Sequence, residues 1–354
     1  MRVAVVTERT VHHDETDAAT RISELTTGLV ARGHEVTVFC SQWWDGGDAV
    51  PTFEADGVTH HAVTEDASVP AWKFALRLPR PLRRFDPDVI HAAHEPPAAV
   101  LGSWAAGRLT ATPLVVDWYD DAPRAGWAER VRRFAARTPE CVIAPSHLIE
   151  TGVFELGRHP DGTAVIPEGI DMGAVRETDP ESVADVVYSR RLDGDANVED
   201  LFLALAELRD LDWSLAVIGD GPERPTYERQ AADFRIDDRV TFLGAQPRER
   251  RIAIMKGAHV AVHTARHAPF PREFLYALAC GCIGIAAYQA GSSAHELVET
   301  HDRGMRVSSD AELTEAIGRA AEMDHRTVEE SFASFDEDAV LDQYLECYRD
   351  LLGD

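Results

Sequence analysis

The 354-residue chain carries 35 basic and 61 acidic side chains, a formal charge of −26, which argues against nucleic acid as the main partner because phosphate binding needs basic density. Only Lys73 and Lys256 are lysines; such a surface repels itself in dilute buffer but is screened at about 1 M salt, where the Debye length is about 3 Å, as in a salt-accumulating halophile. There is no run of about 18 apolar residues and no basic-then-apolar leader, and five cysteines scattered in apolar segments suit buried thiols in a reducing compartment, so the expectation is a cytoplasmic protein.

The length predicts about two domains. In the first, Val3–Val6, Glu35–Phe39, Val89–His91, Leu114–Val116, Cys141–Ala144 and Ala164–Ile166 read as strands buried on both faces. Ile22, Leu25 and Leu29 recur at helical spacing and Gly33 stands where a helix C-cap belongs, so the opening is a βαβ unit. After the Pro/Asp/Glu-rich stretch Glu177–Ser182 a second series begins. Its strands are Val186–Tyr188, Ser214–Ile218, Val240–Phe242, Val260–Val262 and Ile283–Ala286, with amphipathic segments Val198–Leu208 and Arg248–Lys256 between them. The last helix, Asp336–Leu352, aligns Val340, Leu341, Tyr344, Leu345, Tyr348 and Leu352 on one face.

Turn chemistry punctuates both series. Val217-Ile-Gly-Asp-Gly-Pro-Glu-Arg224, Asp238–Gly244, Ala277-Leu-Ala-Cys-Gly281 and His295–Val298 each sit at a turn leading into a helix, where unpaired amides and the helix dipole suit an anionic ligand. Earlier come Ala31-Arg-Gly-His-Glu-Val-Thr-Val38, Asp86-Pro-Asp-Val-Ile-His91, Thr138–Ala144 followed by Ser146, and Val165-Ile-Pro-Glu-Gly-Ile-Asp171. Cys280 and Cys282 lack the spacing and the partner pair of a structural metal site.

In order and spacing these motifs resemble the GT-B glycosyltransferases, in particular glycosyltransferase family 4 (group 1), as a divergent form of halophilic archaeal type. The resemblance covers most of the chain. It implies an α/β fold with two Rossmann-like doubly wound domains facing a cleft: residues 1–175 bind an acceptor, 176–335 bind a nucleotide sugar, and 336–354 form a helix crossing back to the first domain. It further implies a hexosyltransferase acting with retention, needing no cofactor or metal. The donor is a nucleotide-diphosphate sugar and the acceptor a glycan or a lipid-linked one. Surface-glycan assembly at the inner membrane face is the setting it implies, although no basic amphipathic anchor is visible in the sequence.

The resemblance assigns site residues position by position. Gly219, Gly221, Gly244, Gln246, Ser292, Ser293 and Glu296 correspond to donor contacts, and Arg191, with neighbouring Arg190, to the diphosphate-binding arginine. On the acceptor side His94, Tyr119, Asp120 and Asp121 line the expected cleft. Tyr119 takes a position where many members have histidine, and one of Asp117, Asp120 and Asp121 is a candidate proton acceptor.

Three departures touch the chemistry. Asp14-Glu-Thr-Asp17 replaces a glycine pair, so that loop is acceptor-facing or a solvated acidic loop. Ala196 replaces a lysine. Ala268 and Tyr276 occupy the two positions of the E-x7-E signature, leaving Glu273, one helical turn before Tyr276, either to reach a sugar or ribose diol or to serve as a first-turn acid. These losses define an alternative: an inactive GT-B-like binding or scaffold protein of a glycan-assembly complex. A nucleotide-sugar epimerase fits the motif order less well.

Overall fold

The computed structural model describes residues 1–46, 50–120 and 126–353. They form two compact units, Met1–Pro167 together with Val340–Asp354, and Glu168–Ala339.

The first unit runs β1 (Arg2–Val6), α1 (Asp17–Ala31), β2 (Glu35–Ser41), β3 (Thr52–Ala55), β4 (Val58–Thr64), α2 (Ala71–Arg77), α3 (Pro79–Phe85), β5 (Val89–Ala93), α4 (Pro97–Thr110), β6 (Leu114–Asp117), α5 (Trp127–Arg137), β7 (Cys141–Ala144), α6 (His147–Glu155) and β8 (Thr163–Val165). Its sheet has the order β3-β4-β2-β1-β5-β6-β7-β8, parallel except for the β3–β4 hairpin. That hairpin, absent from the sequence reading, turns on Asp56 and Gly57 with φ of 52° and 76°, the left-handed pair that a two-residue hairpin loop demands. Chain direction across the sheet reverses between β1 and β5, so the carboxyl ends of these strands flank the crevice where doubly wound sheets take ligands.

The second unit runs α7 (Met172–Glu177), β9 (Val186–Ser189), α8 (Val198–Glu207), β10 (Leu215–Ile218), α9 (Arg224–Asp233), β11 (Val240–Gly244), α10 (Arg248–Gly257), β12 (Val260–His263), β13 (His267–Ala268), α11 (Arg272–Ala279), β14 (Ile283–Ala287), β15 (Gly291–Ser292), α12 (Ala294–Val298), β16 (Gly304–Val307) and α13 (Asp310–Ala320). A 3₁₀ turn at Glu330–Phe335 precedes α14 (Glu337–Leu352). The sheet order β11-β10-β9-β12-β14-β16 is wholly parallel and reverses between β9 and β12. Each strand is a short apolar run because helices cover both faces, and two apolar layers flank the sheet, one around Phe202 and Leu205, the other around Leu275 and Ile254.

From Val340 onward α14 packs on the first unit, burying Val340, Leu341, Tyr344, Leu345 and Tyr348 beside Leu25 and Leu29 of α1. Gly28 is the contact point: its ideal Cβ position lies 3.0 Å from Leu341 Cδ2, so a side chain there would press the Leu341 side chain aside.

Candidate functional site

At the reversal point of the second sheet, β9 ends in Ser189 and the chain turns through Arg190 and Arg191. Arg190 is half-buried and committed: Nη1 donates to the His267 carbonyl at 3.1 Å and Nη2 lies 3.5 Å from Asp193 Oδ1. Arg190 thus clasps the loop to β13, alongside the diphosphate contact that the resemblance implies for it together with Arg191. Arg191 is exposed, and none of the described residues forms a hydrogen bond or ion pair with its guanidinium.

Gly219 and Gly221 also have a reason other than ligand approach. Gly219 has φ of 129°, and a side chain there would overlap the Arg190 carbonyl, while one at Gly221 would overlap the carbonyl of Leu192. Both glycines let the β10 turn lie on the loop after β9, so the close approach they permit is to this chain's own backbone. Gly219 N–H donates to the Gly244 carbonyl at 2.9 Å, and Gly244 itself turns with φ of 69°. That backbone bond ties the two turns together.

Glu273 lies in the first turn of α11. Its carboxylate accepts from Arg251 Nε at 2.8 Å and Nη2 at 3.0 Å, and from Ser189 Oγ at 3.3 Å. The same Arg251 donates Nη1 to the Gln246 carbonyl at 2.8 Å, and the Gln246 side chain spans Leu243 O and Arg250. Glu273 is thus an oriented carboxylate that joins α11, α10 and β9, beyond the plain first-turn acid. Sequence reasoning missed Arg251, which lies 22 residues before Glu273. Local periodicity cannot pair charges so far apart.

Ser292 and Ser293 are buried. Ser293 Oγ donates to Pro269 O at 2.8 Å and its amide to Ala268 O at 3.0 Å; Ser292 Oγ lies 3.4 Å from His263 Nε2 and accepts from Ala294 N. These groups hold the β13–β15 bridge, alongside the donor contacts that the resemblance implies for both serines. Glu296 is half-buried on α12. His263, which the sequence reading passed over, is buried at the end of β12; burial and the nearby Arg190 charge lower it to about 3, so it is neutral at pH 7. Of the two positions that lack glutamate, Ala268 is buried in β13, and Tyr276 Oη accepts from the Asp171 amide at 3.0 Å.

In the first unit, a cleft of about 250 Å³ opens at the β1/β5 reversal, lined by Glu8, Arg9, Asp14, His94 and Glu95. His94 is buried and stacks on Trp118 with centroids 4.9 Å apart. Burial lowers it to about 4 against the opposing charges of Asp120 and Asp117, so it stands neutral. The Tyr119 amide donates to His94 Nδ1 at 3.3 Å, which places the imidazole proton on Nε2. Glu8, unnoticed in the sequence, lies in the same cleft with its carboxyl raised by burial, against the lowering charge of Arg9. Asp14 pairs with Arg9 at 2.6 Å and Thr16 caps α1, giving the acidic loop a partly structural explanation.

Asp117 is corrected from candidate base to structural anion. It is buried, accepts from Arg21 Nε at 3.1 Å and from Tyr344 Oη at 2.8 Å, and lies 3.7 Å from His91 Nε2. Burial alone would push the carboxyl up; Arg21, with His91 and Tyr344, outweighs it and holds the group well below the usual carboxylate range. Tyr119 is buried beside it and Asp120 half-buried, whereas Asp121 lies outside the described residues.

This pair of doubly wound units has known counterparts. Residues 18–169 match the glycosyl transferase 4-like domain and residues 175–331 the glycosyl transferases group 1 domain. The chain belongs to these family 4-like, group 1 glycosyltransferases and has the GT-B fold. A GDP-mannose-dependent alpha-mannosyltransferase of Mycolicibacterium smegmatis is 28% identical over 317 residues, covering 82% of this chain and 80% of that one. Among solved structures, a sucrose-phosphate synthase from Thermosynechococcus elongatus superposes with a TM-score of 0.76 at 19% identity, over 99% of each chain. Anabaena Alr3699/HepE, solved with UDP and glucose, gives 0.71 at 20% identity over 98% of each.

Proposed function

We propose that this glycosyltransferase moves a hexose-type sugar from a nucleoside-diphosphate sugar, held by its second unit, to a glycan or lipid-linked acceptor, with retention at the anomeric carbon. The observation that carries the reading is Arg191, an exposed, uncommitted guanidinium at the strand-reversal edge of the second sheet. A planar fork of donors suits two diphosphate oxygens, and charge placed where the leaving diphosphate develops is a large catalytic term. Glu273, held in one orientation by Arg251, supplies an acceptor for a sugar hydroxyl close to Ser189. In the first unit, His94 offers its Nε2 proton to an acceptor oxygen in the cleft, with Glu8, Tyr119 and Asp120 around it.

The mycobacterial relative's name makes GDP-mannose the first donor to try, and the HepE complex makes UDP-glucose the second. A ligand that binds only the native state raises the unfolding midpoint, by about 2.7 kcal/mol of stability at a hundredfold excess over Kd. A panel of GDP- and UDP-sugars, followed by product analysis with lipid-linked acceptors, tests the proposal; no shift from any nucleotide sugar on folded protein counts against it. One observation favours the inactive-scaffold alternative. Tyr276, at a signature glutamate position, is spent on the Asp171 amide and offers no carboxylate. Donor binding without transfer to any acceptor would select that alternative.

A further inference from the structure

Three of the five cysteines are ordinary core thiols. Cys40, Cys280 and Cys282 are buried, and Cys282 Sγ donates to Met255 O at 3.1 Å. Burial pushes the thiols of Cys40 and Cys282 up to about 12 and that of Cys280 well above its ordinary value, so none is a nucleophile at pH 7. Cys141 and Cys347 differ. Although 206 residues separate them in the chain, Cys347 Sγ donates to Cys141 Sγ at 3.4 Å.

The packing of the first unit imposes this meeting. Cys141 opens β7, and Cys347 stands one helical turn after Tyr344, at the border of the apolar face that α14 lays on the sheet. Tyr344 and Tyr348, bonded to Asp117 and His91, fix the rotation of that helix. The turn before β7 wraps around Arg158, whose Nη1 donates to Pro139 O at 2.6 Å and Nη2 to Glu140 O at 2.9 Å. The hydrogen bond from Cys347, with the Arg158 charge, outweighs burial and holds the Cys141 thiol below its ordinary value, whereas Cys347, as the donor, is pushed up. Cys347 is half-buried, so the pair borders on solvent. Because β5, β6 and β7 run parallel, Cys141 lies at the opposite end of the sheet from the cleft of Glu8 and His94.

We infer that Cys141 and Cys347 form an oxidisable dithiol that a peroxide converts into a disulfide, stapling α14 to β7. Cys141, as thiolate, attacks one oxygen of hydrogen peroxide; the O–O bond breaks, hydroxide leaves and is protonated to water, and Cys141 becomes a sulfenic acid. The Cys347 sulfur then attacks the Cys141 sulfur. The S–S bond forms, the S–O bond breaks, and the second hydroxide departs as water with the Cys347 proton. Two thiols are thus oxidised while one peroxide is reduced to two waters. The bond needs sulfurs about 2.05 Å apart, an approach that side-chain rotation supplies from the existing contact. It closes a loop containing the whole of Glu168–Ala339, and long loops restrict the unfolded chain most. The inference does not rest on the donor chemistry and stands or falls separately from it.

The test treats the whole reduced chain, shown folded by circular dichroism, with hydrogen peroxide, then blocks remaining thiols and maps peptides by mass spectrometry without reduction. One peptide pair joined through Cys141 and Cys347 is expected, in at least about tenfold excess over any other pairing because the other thiols stay protonated. Oxidised protein should unfold about 5 °C or more above the reduced form, and dithiothreitol should return it. Cys347→Ala should show neither the joined peptides nor the shift. Folded wild type that keeps both thiols alkylatable after peroxide overturns the inference. So do disulfides formed only between chains, joined peptides that appear only in urea, or a joined chain whose midpoint does not rise. If Cys347→Ala fails to fold, the wild type decides alone: a midpoint that dithiothreitol lowers in step with loss of the joined peptides supports the staple, and one that is indifferent to it rejects the staple.

Discussion

Tyr344, 227 residues beyond Asp117 in the chain, donates its hydroxyl to the Asp117 carboxylate at 2.8 Å, deep inside the first unit. Arg21 from α1 completes the charge, and its other nitrogens bond the carbonyls of Ile166 and Pro167. Three distant stretches of sequence thus meet on one buried anion. Removing one member of a buried pair leaves the other uncompensated, which costs about 3–5 kcal/mol. Asp117→Asn should lose stability on that scale in urea titrations, and Tyr344→Phe about 1–3 kcal/mol.

The same anion sets an acid limit. Its folded carboxyl is held below the ordinary value of 3.8, so its stabilisation is complete above that pH and is lost as the pH falls towards the lower, folded value. Denaturation midpoints in Asp117→Asn should accordingly vary less with pH below about 4 than in the wild type.

His94 acts in a higher window. Because the folded imidazole is lowered to about 4 from 6.5, the unfolded chain takes up a proton that the folded chain refuses between those values. Stability therefore falls on acidification through this range, by on the order of 3 kcal/mol in total. His94→Gln should flatten the slope of midpoint against pH there, while a slope unchanged from wild type would remove His94 as a neutral buried group.

Two adjacent arginines should separate cleanly. Arg190→Ala loses the bond to His267 O and should lower the unfolding midpoint of the free protein. Arg191→Ala should leave that midpoint alone and reduce the shift produced by nucleoside diphosphates by at least tenfold in Kd, about 1.4 kcal/mol. Glu273→Gln, which breaks the paired contact with Arg251, should lower transfer to the acceptor more than donor affinity. Identical behaviour of Arg190→Ala and Arg191→Ala in both assays would dissolve this division of labour.

Gly219→Ala is expected to damage both properties. The backbone there sits at φ 129° and the new methyl would overlap Arg190 O. The loop bearing Arg191 must then shift, so a stability loss of about 2 kcal/mol or more should accompany weaker diphosphate binding. Calorimetric unfolding with and without GDP reads both.

Much of this architecture is legible in the residues because buried parallel strands announce themselves as short apolar runs: Cys141–Ala144 is read to the residue, and Glu35–Phe39 falls within the observed β2. The β3–β4 hairpin was equally legible, since Asp56-Gly57 is a strong turn signal, but β3 is mostly exposed and neither strand carries an unbroken apolar run. The site is harder to read. The overlap that a side chain at Gly219 would make with Arg190 O, and the bonds by which Ser292 and Ser293 hold the β13–β15 bridge, arise only once distant segments are brought together. Asp117 looks like a surface acid beside Asp120 and Asp121; only the three-dimensional arrival of Arg21 and Tyr344 makes it a buried anion.

The division of the chain has a consequence for its biosynthesis. Residues 340–354 complete the first unit, yet the ribosome makes them after all of residues 168–339. The first unit therefore begins emerging first and finishes last, with His91 and Asp117 awaiting Tyr348 and Tyr344 while the whole second unit is translated. A fragment stopped at Pro167 should be a client for chaperones, and joining residues 1–167 to 340–354 through a flexible linker should restore a chain that folds.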